Sequence, residues 1–151
     1  MNRLQKTLRA TLILCTSILA ATAVSGGAML LFGVYAPPLE MLEGSVFSSF
    51  AVPGVALAVA VGGVAVLALV LVVRRSAWAR FASTVAGLAV VSFEFVQVLT
   101  IGSPAGSARA MQVGYFVLGL VLVVTAAIGS HFDALTSRPE SAFVDPCAGN
   151  P

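Results

Sequence analysis

Charge is what this chain has least of. Only 9% of its 151 residues are Asp, Glu, Lys or Arg, against about 25% in soluble domains. So few charges cannot solvate a protein surface in water, which excludes an ordinary soluble globule. Lys6 is the single lysine, so no phosphate-binding G-K-[ST] loop exists. His131 is the single histidine, which excludes His-rich metal and haem sites and any H-E-x-x-H motif. Cys15 and Cys147 are the only cysteines. They form no C-x-x-C and no metal-type spacing, and they fall in regions not expected to meet. There is no basic stripe or stacking platform for nucleic acid. No cofactor is implied, and catalytic equipment is missing, so the chain reads as a non-enzyme.

What fills the chain is apolar sequence. Hydrophobic residues make up 59% and the mean hydropathy is +1.03. Four long runs cover about residues 10–32, 51–73, 78–101 and 110–130. Each approaches or exceeds the roughly 20 residues a helix needs to cross hydrocarbon. They lack the period-2 alternation of barrel strands, and a span must satisfy its own backbone hydrogen bonds, so helix is the expected form. The expected fold is an all-α bundle of four transmembrane helices within residues 1–130, followed by a disordered cytoplasmic tail over 131–151. Its first partner is the lipid bilayer.

The first run could pass for a secretory signal, since Ala21-Thr22-Ala23 offers a cleavage-like site. The apolar stretch continues to Phe32, too long for a signal core, so it reads as a retained span. Leu12-Ile13-Leu14-Cys15 is a poor lipidation motif, because Leu14 stands where a small residue belongs. Orientation follows the basic residues. Arg3, Lys6, Arg9, Arg74, Arg75, Arg80 and Arg138 fall on one side, and only Arg109 on the other. That bias puts both termini in the cytoplasm of a multi-pass plasma-membrane protein. Trp78 suits an interfacial anchor. In the first external loop, Pro37-Pro38-Leu39-Glu40-Met41-Leu42-Glu43-Gly44 has Pro at a helix start and Gly at its end. Leu39, Leu42, Val46 and Phe50 recur at helical spacing, which predicts a short amphipathic segment on the outer face. The Gly102–Arg109 link is a tight Gly/Ser/Pro turn, making a hairpin of the last two spans.

Small residues recur every four positions: Ser17, Ala21 and Ser25; Gly54, Ala58 and Gly62; Ser83 and Gly87. Such ladders let helix backbones approach closely in lipid. Glu94 is the only charged residue in the interior of a run; the others lie at the ends of the runs or outside them. It follows Gly87 by seven residues and Ser83 by eleven, steps that return to within about 20° of one direction. The carboxyl is therefore expected on a packed face, roughly 10 Å below the outer boundary. Gln97, Gln112 and Tyr115 occupy similar depths, giving a candidate intramembrane polar site of Glu94, Gln97, Gln112 and Tyr115. In one reading Glu94 is a clasp, hydrogen-bonded to a Gln or Tyr. In the other it lines a small cavity that takes a proton, a cation or an amphipathic ligand.

Three segments carry a resemblance: Ser45-Val46-Phe47 leading into Val52-Pro53-Gly54; Phe95-Val96-Gln97-Val98 with Ile101-Gly102; and Gln112 with Tyr115-Phe116-Val117-Leu118-Gly119. Together they resemble a group of bacterial four-helix membrane proteins to which no activity is assigned. The resemblance covers about residues 10–130 and implies the fold and a plasma-membrane location. In span count alone the chain is also similar to DoxX-like proteins. The function expected from the sequence is helix–helix association, with further copies or with another membrane protein. The alternative is a small transporter or ligand-binding bundle using Glu94.

Overall fold

The computed structural model describes residues 3–34, 48–102 and 106–136. Four helices account for most of them: α1, Arg3–Leu31; α2, Ala51–Val73; α3, Ala79–Ile101; and α4, Ser107–Thr136. No strand occurs among the described residues. All four helices are long and apolar enough to cross a membrane. The architecture is that of an all-α, multi-pass membrane protein.

The apolar runs locate the helices well in the middle of the chain and less well at its ends. The second span has the expected bounds, and α3 begins one residue later than expected. By contrast, α1 begins at Arg3, and α4 covers Ser107–Thr136 rather than 110–130. Hydropathy marks where hydrocarbon begins, but backbone hydrogen bonding has no reason to stop there. Residues 131–136, expected in the tail, are thus helical, and 137–151 lie outside the described residues. The amphipathic segment expected around Pro37–Gly44 also lies outside them.

Neighbouring helices run antiparallel, as their close contacts show. A Cβ placed on Gly27 of α1 would lie 2.6 Å from the Gly54 carbonyl oxygen and from the Ala58 Cβ. One on Gly62 would lie 2.8 Å from Val24. Along α3 and α4 the paired positions are Gly87 with Gly119, and Arg80 with Gly129. The start of α1, the α2–α3 turn and the end of α4 therefore share one end of the bundle.

The core is built largely from small side chains. Ala20 and Ala23 of α1, Ala65 and Ala68 of α2, and Ala82 and Ala86 of α3 are buried, beside larger Leu19, Val61, Val90 and Leu122. Large apolar groups such as Phe32, Val59, Phe95 and Leu99 face outward. Lipid tails are as apolar as leucine, so burying large side chains gains little here. Close backbone approach gains dispersion contacts instead. Buried hydroxyls bond their own helix: Thr16 donates to the Leu12 carbonyl at 2.6 Å and Ser83 to the Ala79 carbonyl at 2.8 Å.

The second and third ladders pack inward, with Gly54, Gly62, Ser83 and Gly87 buried. The first does not: Ser17 is half-buried, and Ala21 and Ser25 are exposed. The contact at Gly27 sets the rotation of α1. Ser25 is two residues away, a turn of about 200°, which carries it to the opposite side. Cys15, Leu19, Ala23 and Gly27 form the inward face instead.

Two irregularities mark α2. Between Ala56 and Gly63 it is wound as a π-helix. At its end, the N–H of Arg75 donates to the Val72 carbonyl at 3.2 Å and that of Ser76 to the Leu71 carbonyl at 3.0 Å. This is a Schellman closure, in which glycine usually occupies the left-handed position. Here Arg75 occupies it, with φ of 55°.

Candidate functional site

Along α3, the buried side is a single stripe: Ala79, Ala82, Ser83, Ala86, Gly87, Val90 and Glu94. Helical periodicity alone carries Glu94 inward, because the contact between Gly87 and Gly119 turns that stripe toward α4. Glu94 is 5% exposed. Its Oε2 is fully buried and has no hydrogen-bond partner. A carboxyl in an apolar interior without a compensating bond is costly by several kcal/mol.

The other three candidates are placed unequally. Seven residues from Gly87 toward the α3–α4 turn is Glu94, and seven back from Gly119 is Gln112, so the two are level. Gln112 is half-buried. Tyr115, also half-buried, packs against the core one turn deeper. Gln97 stands apart. It lines a groove of about 320 Å³ between α2 and α3, with Pro53, Ala56 and Ala60 across from Phe93, Gln97 and Thr100. Glu94 does not line that groove, nor the larger pocket at the other end of the bundle. Three residues separate Glu94 from Gln97, so the groove lies about 60° around α3 from the carboxyl. The π-helical stretch of α2 supplies Ala56, Ala60 and Val61 to the groove, at the depth of Glu94. Such stretches are frequent at functional sites.

His131 is exposed near the end of α4 remote from Glu94. Cys15 is a buried free thiol. No group of three or more His, Cys, Asp or Glu side chains comes together among the described residues. Residues that charge counting registered only for orientation turn out to have structural roles. Arg9 reaches across to the end of α2, its Nε donating to the Val72 carbonyl at 3.4 Å and its Nη2 to the Val73 carbonyl at 3.0 Å. Nothing in the spacing of Arg9 announces this; it follows from the packing of α1 on α2.

The class these features define is a small multi-pass membrane protein with a carboxyl, that of Glu94, buried among its spans. No family model, curated protein or solved structure matches the chain.

Proposed function

We propose that this chain is a plasma-membrane protein with both termini in the cytoplasm, in which Glu94 serves as the proton- or cation-binding carboxylate of a small, non-enzymatic transport or ligand-binding bundle. The observation that carries the reading is the buried Oε2 of Glu94, which has no hydrogen-bond partner. A clasp would join that oxygen to a neighbouring helix. A carboxyl that exchanges a proton for a cation needs its oxygens uncommitted. The apolar groove one face away and the π-helical stretch beside it support the reading, because a modest rotation of α3 would bring Glu94 to the groove. The orientation rests on the seven-to-one distribution of basic residues. Membership of the resembling bacterial four-helix group is part of the proposal.

The test uses purified protein in nanodiscs treated with dicyclohexylcarbodiimide, which modifies carboxyls in apolar surroundings. The wild type is expected to take one adduct, at Glu94, and Glu94→Gln none. Tetraphenylphosphonium, a lipophilic cation, is expected to slow the modification. An unmodified wild type, or no protection by the cation, would count against the proposal.

A second reading, association through helix faces, is favoured by one observation. Ser17, Ala21 and Ser25 form a small-residue ladder that the bundle itself does not bury. With the native cysteines replaced, Ser25→Cys should cross-link between copies if they associate there, and Val59→Cys on the outward side of α2 should not.

A further inference from the structure

The groove between α2 and α3 is graded in polarity along its length. On α3 it runs from Ala89 to Thr100, roughly 16 Å of helix. Thr100 is the last residue of the third candidate span, Ala79–Thr100, and Ala89 falls near its middle. One end of the groove therefore lies at a membrane surface and the other in mid-hydrocarbon. Gln97 and Thr100 stand at the surface end, and Ala60, Val61 and Ala89 line the inner end. The groove also opens sideways, to where lipid would lie. Val52 and Val96 on its rim are exposed, whereas Val61 on its floor is buried. Ser92, a further hydroxyl among its lining residues, is on the exposed rim.

Small side chains on α2 make the space. Pro53, Ala56 and Ala60 face Phe93 and Gln97 across it, and the π-helical winding carries Ala56 and Ala60. Its volume of about 320 Å³ is within the usual range for small-molecule sites, roughly 300–1,000 Å³. At the polar end, the Thr100 hydroxyl is committed to its own helix, donating to the Val96 carbonyl at 2.8 Å. The Gln97 amide oxygen is an acceptor. Glu94 stands three residues before Gln97, a spacing at which helix side chains are neighbours, with Cβ atoms about 5–6 Å apart. The Glu94 Oε2 is buried without a hydrogen-bond partner. One helical step thus separates the polar end of the groove from an uncommitted carboxyl oxygen.

We propose, resting on the reading of Glu94 as a cation-binding carboxylate, that the groove takes a single-chain amphiphilic primary amine from the bilayer. Its ammonium sits between Glu94 and Gln97, and its hydrocarbon chain lies along Ala60, Val61 and Ala89. The carboxyl selects a cation. The apolar inner end selects one that carries a chain, which a small hydrated cation lacks. The direction of the gradient matches an amphiphile already standing in a leaflet, head at the surface and tail toward the middle. Such a ligand enters sideways, without crossing the packed core.

Binding of radiolabelled dodecylamine to phosphatidylcholine nanodiscs carrying the full chain, net of empty nanodiscs, tests the proposal. Saturable binding is expected, displaced by unlabelled dodecylamine. Equal concentrations of butylamine, with the ammonium but a short chain, or dodecanoate, with the chain but the opposite charge, should not displace it. Ala60→Phe fills the groove and should weaken binding about tenfold, as should Glu94→Gln by removing the charge. Val59→Phe adds the same ring one residue away, on the outward side of α2, and should bind as wild type. Absence of saturable binding, displacement by butylamine or dodecanoate, equal binding by Ala60→Phe and Val59→Phe, or undiminished binding by Glu94→Gln would each overturn the proposal. Modification by dicyclohexylcarbodiimide reports on the carboxyl alone and should persist in Ala60→Phe. A chain modified at Glu94 and protected by tetraphenylphosphonium, yet without a dodecylamine site, would overturn the groove proposal and leave the carboxyl reading standing.

Discussion

Two stripes of this molecule have the same pattern in sequence and opposite fates in the bundle. On α3, Ser83 and Gly87 lead to Glu94 and face inward. On α1, Ser17, Ala21 and Ser25 are partly or fully exposed. Small residues at four-residue spacing therefore permit close packing without assigning it. The closest glycine contact decides which face turns in: Gly87 against Gly119 on α3, and Gly27 against Gly54 and Ala58 on α1. Polar groups then meet different environments. Ser25 satisfies itself, donating to the Ala21 carbonyl at 2.7 Å. The longer Glu94 side chain is carried inward with its stripe and finds no partner for Oε2.

Substitutions break this contrast in order of size. Gly87→Leu should be the most severe, because a Cβ there already falls 2.7 Å from the Gly119 carbonyl oxygen and 2.9 Å from Val123. A loss of about 3 kcal/mol or more is expected in detergent unfolding, or separation of the α3–α4 hairpin. Arg9→Gln removes the charged donors to the Val72 and Val73 carbonyls. Those bonds are partly exposed, so the loss should be about 1 kcal/mol. Ser25→Leu should change stability by no more than about 0.5 kcal/mol, since it places an apolar group on a face already turned outward. A large destabilisation by Ser25→Leu would mean that α1 is rotated differently.

Most of the fold was legible in the chain. Four uninterrupted apolar runs admit few alternatives, and the end of α2 followed from Arg74 and Arg75 closing its run. The inward direction of Glu94 followed from its phase with Ser83 and Gly87. Three things were not legible. The rotation of α1 depends on a contact with α2 that no periodicity in α1 encodes. Gln97 shares the depth of Glu94 but belongs to a groove on another face, a difference of one helical step that depth counting ignores. The convergence of Arg9, Arg75 and Arg80 on the pocket at the other end of the bundle requires three separate elements to meet, and their count along the chain indicated only a side of the membrane.

The central claim is that Glu94 is kept for something other than holding the helices together. Its replacement by methionine, similar in volume and apolar, separates the two roles. With Oε2 already unpartnered, Glu94→Met removes a desolvated polar group and should leave the bundle as stable as wild type, or more stable by about 1–3 kcal/mol, in reversible unfolding from detergent micelles. A loss of about 1 kcal/mol or more would show that the carboxyl fastens the helices, and would contradict the account.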